Sequence, residues 1–73
     1  MSLFIWNGRK LNSFADAQEA IKTVNDMSDV VALSNIIVSM NIYGVITSEE
    51  VFSAGSEMGL QILRIKDDKP EAT

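Results

Sequence analysis

Residues 30–48 carry no charged side chain, in a chain where 22% of residues are charged. The stretch is punctuated by Gly44 and by the Thr-x-x-Glu pattern of Thr47 and Glu50. An uncharged helical run ended by a glycine and followed by a new helix start predicts a buried central helix, a tight turn and another helix. Its main apolar face is Val30, Leu33, Ile36, Ile37, Met40 and Tyr43. A second stripe, Val31, Val38 and Ile42 with Asn35 among them, lies on the side that ought to be wet. A helix that is apolar on two sides has to be covered on two sides.

The flanking segments supply the rest of the architecture. Phe4, Ile5 and Trp6 run into Asn7-Gly8, the strongest short signal for a hairpin with a type I′ turn, since both central residues must accept positive φ. That register sets Trp6 opposite Arg9 and Ile5 opposite Lys10, with Phe4, Trp6 and Leu11 on the side that covers the helices. Ser13 caps a first helix with Asp16 in its first turn, and Phe14, Ala17, Ala20, Ile21, Val24 and Met27 form its apolar face. Polar residues 25–29 favour a break, with a new N-cap near Ser28 and a central helix running to about Tyr43.

Thr47 and Glu50 make a capping box, and Ile46 with Val51 the matching hydrophobic staple, for the third helix. Its inner face reads as Val51, Gly55, Met58, Ile62 and Ile65, flanked by Phe52, Ala54, Gly59 and Leu63. Gly55 and Gly59 each lower helix propensity by about 1 kcal/mol, so their position on that face predicts close approach to another helix. An alternative is that Gly59 ends the helix and residues 60–66, with their alternating apolar pattern, become a strand. The fold class is therefore α+β, an N-terminal β-hairpin packed on three helices with the second one central. Residues 1–66 form the single small domain, and residues 67–73 are expected to be a disordered acidic tail.

At 73 residues the domain buries only about 60% of the surface its unfolded chain exposes, so its core is marginal. With no Cys and no His, disulfides are excluded and a zinc staple is not expected, which leaves association with other chains as the support. The formal charge of −4 argues against nucleic acid or an anionic membrane as ligand. Between Leu11 and Leu63 the only basic residue is Lys22, against seven acidic ones. Ser34, Asn35, Ser39, Asn41 and Gly44 interrupt the uncharged run, so no membrane span is expected either. Met1 to Trp6 lacks the basic start and cleavage site of a secretory signal, and a cytoplasmic location is the expectation.

Residues 39–50 resemble the calcium loop of an EF-hand in their spacing, with Gly44, Ile46 and Glu50 at the turn glycine, the central aliphatic position and the bidentate glutamate. The pattern departs where the chemistry lies, because Ser39 stands for the first aspartate and Tyr43 occupies a ligand position. A helix-turn-helix reading would make the third helix the DNA reader, yet its exposed early residues, Ser48, Glu49, Ser53, Ser56 and Glu57, repel phosphate. Any nucleic-acid contact would fall to Arg9 and Lys10. Glu49 and Glu50 point in different directions on a helix, no Gly-rich phosphate loop occurs, and nothing suggests a nucleophile, so neither catalysis nor a metal or cofactor is expected.

What remains is binding through a surface. The expected function is non-enzymatic protein binding by a small acidic homo-oligomer acting as adaptor, regulator or inhibitor; the alternatives are a homo-oligomeric structural protein and a DNA-associated regulator using Arg9 and Lys10. Trp6, Tyr43 and Leu60 are candidate anchors. The stripe of Val31, Asn35, Val38 and Ile42 should meet either the hairpin or its own copy across a two-fold axis, the homodimer being preferred. In size and composition the chain is similar to the accessory proteins of phages and other mobile elements, a similarity that names no family.

Overall fold

The computed structural model describes residues 4–68. Its elements are β1 (Ile5–Trp6), β2 (Arg9–Lys10), α1 (Phe14–Ile21), α2 (Met27–Ile42) and α3 (Ser48–Asp68). The α+β class holds: β1 and β2 pair antiparallel as a hairpin, and α2 contacts both α1 and α3. Asn7 at φ 53° and Gly8 at φ 86° take the two left-handed positions of the expected turn, and Trp6 pairs with Arg9 and Ile5 with Lys10. The hairpin lays Trp6 and Leu11 into the core. The indole N–H of Trp6 donates to Thr23 Oγ1 at 3.1 Å, and that hydroxyl donates onward to the Ala20 carbonyl at 2.7 Å.

Each helix begins with an N-cap oxygen that accepts from the N–H three residues on, and the acid there bonds back, to the N-cap at α3 and to the residue before it at α1 and α2. Ser13 Oγ accepts from the Asp16 N–H while Asp16 Oδ2 accepts from the Asn12 N–H. At α2, Asp26 Oδ1 accepts from the Asp29 N–H at 2.9 Å and Asp29 Oδ2 from the Asn25 N–H at 3.5 Å. Thr47 Oγ1 accepts from the Glu50 N–H, and Glu50 Oε1 from the Thr47 N–H. These bonds satisfy donors at and before each helix start, and the acids sit where the dipole favours them. The cap of α2 is therefore Asp26 and not Ser28, whose hydroxyl donates to Asp26 Oδ1 instead. The shift moves Met27 out of the first helix into the first turn of α2, where it is exposed. Val24 stays buried, but from the connecting loop.

The corner between α2 and α3 closes as a Schellman motif. Gly44 lies at φ 80°, its N–H bonds the Asn41 carbonyl, and the Val45 N–H bonds the Met40 carbonyl at 2.8 Å. Asn41 Nδ2 adds a bond to the Ile46 carbonyl at 3.1 Å. Residues 39–42 are thus helical, and Glu50 is held by its own cap, so the EF-hand resemblance reduces to a helix end followed by a helix start.

The core consists of Trp6, Leu11, Ala17, Ala20, Ile21 and Val24 with the inner sides of α2 and α3. Val30, Leu33, Ile37 and Met40 of α2 are buried and Ile36 packs beside them, whereas Tyr43 is 72% exposed and leaves the expected face. On α3 the buried residues are Ala54, Met58 and Ile65, with Val51 and Ile62 packed partly against the core. Gly55 and Gly59 are exposed, and a Cβ built on either meets nothing within 4 Å, so no helix of the same chain approaches them. The helix continues through Gly59 to Asp68, which removes the strand alternative for residues 60–66 and extends the helix two residues past the expected domain end. Residues 69–73 of the expected tail lie outside the described residues.

Candidate protein-binding face

The hairpin does not cover the second stripe of α2. Val31 is 58% exposed, Val38 50% and Ile42 72%, with Asn35 exposed between them. The two helices that contact α2, α1 and α3, pack on the side that carries Leu33 and Ile37. The elements that bury Leu33 and Ile37 on one side of α2 leave none for the other.

The stripe is not isolated. Phe52 (79% exposed) and Leu63 (59%) lie on the same flank of α3 as Gly55 and Gly59, since positions three and four apart share a helix face. A shallow hollow of about 90 Å³ joins this flank to α2, lined by Ser34, Ile37 and Val38 on one side and Val51, Ala54, Gly55 and Met58 on the other. Val38 and Gly55 are walls of one groove, so the two stripes form a single two-helix face. Leu60, 64% exposed, lies outside it and lines the cleft toward α1 with Glu19, Lys22, Glu57 and Arg64. Val31, Val38, Phe52 and Leu63 are each half or more exposed, an apolar surface of the kind that marks an interaction site. The α2 part of the face carries no charge; on α3, Glu49 stands at one end and Lys66 and Asp67 at the other.

The other candidates lie elsewhere. Trp6 is 9% exposed with its N–H satisfied, which makes it a core residue and withdraws it as an anchor. Tyr43 packs its ring against Phe4 at 5.9 Å between centroids, tilted by 55°, at the junction of hairpin and corner. Arg9 and Lys10 are both exposed on β2. Between α1 and α3 runs a polar cleft in which Gln18 Nε2 donates to Glu57 Oε2 at 2.7 Å and Gln61 Nε2 to the Val24 carbonyl at 3.0 Å. Among the described residues no three His, Cys, Asp or Glu side chains gather closely enough to hold a metal ion, and no helix is long and apolar enough to cross a membrane.

Phe52 and Leu63 were legible as apolar but were expected beside the inner face. The usable signal was their spacing with Ser56 and Gly59, a run of four, three and four residues that marks a helical seam of its own. The chain matches no protein-family model, no curated protein and no solved structure.

Proposed function

We propose that this chain is a non-enzymatic protein-binding module, an adaptor, regulator or inhibitor that engages its partner through the α2–α3 face. One observation carries the reading: the uncharged stretch of residues 30–48 leaves Val31, Val38 and Ile42 exposed, and Phe52 extends that apolar surface onto α3. Charged residues are depleted and aromatic residues enriched at the buried centres of protein interfaces, and Phe52 with its aliphatic neighbours has that composition. The formal charge of −4 speaks for protein over nucleic acid as the partner class. We place its action in the cytoplasm, where a domain without cysteine is at no disadvantage.

Size-exclusion chromatography of the wild-type chain, alone at high concentration and in an extract of the cells that make it, tests the reading. The wild type should elute in an assembly larger than one chain in at least one condition. Val38→Glu should elute as a folded monomer in both, because a charge at a half-exposed position is tolerated in water and not in an interface. A wild type that remains a monomer in both conditions overturns the proposal.

A further inference from the structure

An asparagine followed by glycine is chemically the least durable pair in a polypeptide, because the next amide nitrogen can attack the side-chain carbonyl and glycine has no Cβ to obstruct it. The chain has five asparagines, and only Asn7 precedes a glycine. A fold protects such a pair by holding the amide in a hydrogen bond or the side chain in a contact. The hairpin does neither. Its ladder pairs Trp6 with Arg9 and leaves the Gly8 N–H outside the pairing. Asn7 and Gly8 are exposed, and among the described residues neither the Asn7 side chain nor the Gly8 N–H has a hydrogen-bond partner. A Cβ built on Gly8 meets nothing within 4 Å, so the space over the turn is open to water. The other asparagines are guarded. Asn35 and Asn41 lie within α2 before β-branched isoleucines whose N–H groups the helix holds. Asn12 precedes Ser13 and Asn25 precedes Asp26, side chains that crowd the nitrogen.

We propose that Asn7 is a self-modifying site: in the folded protein its side-chain amide is lost as ammonia, and its isoaspartyl product releases the hairpin from the helices. Water or hydroxide removes the Gly8 amide proton, and the nitrogen attacks Asn7 Cγ. The new N–Cγ bond forms as the Cγ–Nδ2 bond breaks, and Nδ2 leaves as ammonia with a proton from water. The resulting succinimide ring takes up one water. Attack at Cγ returns the ordinary main chain with aspartate at position 7. Attack at the main-chain carbonyl breaks its bond to the Gly8 nitrogen and leaves the chain running through Cβ and Cγ. One water is consumed, one ammonia is released, and nothing is oxidised or reduced.

The two products act differently on the fold. Aspartate tolerates a left-handed backbone much as asparagine does, so a turn that holds position 7 at φ 53° survives. Isoaspartate adds a methylene to the main chain inside a two-residue loop, whose length and turn type fix the register of both strands. The displacement falls on the neighbouring Trp6, which is 9% exposed and tied to Thr23 at 3.1 Å. Either product adds one negative charge to a chain whose formal charge is −4.

Ageing the full chain for weeks at mildly alkaline pH tests the proposal, beside Asn7→Gly, which keeps a turn-competent pair and lacks the amide. Anion exchange separates the more acidic species, and peptide mapping locates the gain of about 1 Da. Wild type should convert at Asn7 at least about tenfold faster than at any other asparagine, and faster as pH rises, since the attacking nitrogen must lose its proton. Asn7→Gly should gain no acidic species at comparable speed. The isoaspartyl form should melt at least about 5 °C below the unaged chain, and the aspartyl form, like fresh Asn7→Asp, within about 2 °C of it. Trypsin should cut the isoaspartyl form after Arg9 and Lys10 about tenfold faster than the unaged chain. A folded chain with Asn7 intact when the same chain in urea has converted fully overturns the site, as does conversion led by another asparagine. An isoaspartyl form that melts and resists trypsin like the unaged chain overturns the release of the hairpin.

Discussion

The two sides of α2 are built from the same kinds of residue and have different fates. Val30, Leu33, Ile37 and Met40 are buried, while Val31, Val38 and Ile42, each within a turn of a buried neighbour, are half or more exposed. Composition does not separate them. What separates them is that α1 and α3 pack on one side and none of the described elements packs on the other. Hydrophobic pattern thus reports which sides of a helix seek cover, and the supply of neighbouring elements decides which sides get it within the chain.

Substitutions on the two sides should diverge accordingly. Leu33→Ala removes a fully buried side chain from α2 and should lower stability by about 3 kcal/mol, read as a fall in the urea midpoint at unchanged slope. An effect below about 1 kcal/mol would mean that the inner side of α2 is no better packed than the outer. Thr47→Ala loosens the start of α3, and with it the edge that both sides share, at a cost of about 1 kcal/mol in the same denaturation experiment.

Gly59→Ala sharpens the contrast by changing sign. In dilute solution it should raise the stability of the single chain by about 0.5–1 kcal/mol through helix propensity, while weakening any assembly that uses the space above Gly59. Thermal melts at low and high protein concentration separate the two effects. Smallest of all, Val38→Ala should change the dilute-solution stability by less than about 0.5 kcal/mol, because half of the side chain already lies in water. A loss comparable to that of Leu33→Ala would erase the distinction between the sides.

Local chemistry was the most legible part of the fold. Asn7-Gly8, Ser13, Gly44 and the Thr47–Glu50 box each act within a few residues, and each took the expected role. The cap of α2 was misread by two residues because Asp26, Ser28 and Asp29 are all competent caps; the bond from the Asp29 N–H to Asp26 and that from the Asn25 N–H to Asp29 decide among them. The orientation of α3 was less legible. Gln61 and Glu57 look like solvent residues, yet both are partly buried, because the Val24 carbonyl and Gln18 across the cleft supply their partners. With those polar groups turned toward α1, Ala54 rather than Gly55 faces the core, and Phe52, Gly55 and Gly59 swing outward. Periodicity cannot register a partner that lies 37 or 39 positions away. For the same reason the spacing shows the stripe on α2 and the Phe52–Leu63 seam on α3, but not that the fold sets them side by side.

The bond between the Trp6 indole and Thr23 has an optical consequence. The chain contains one tryptophan, and it is buried where the hairpin meets the end of α1, away from the α2–α3 face. Its fluorescence should shift to longer wavelength when the hairpin undocks and stay silent when that face is covered or bared. Folding and assembly can therefore be followed in one cuvette as independent signals, emission for the first and scattered light for the second.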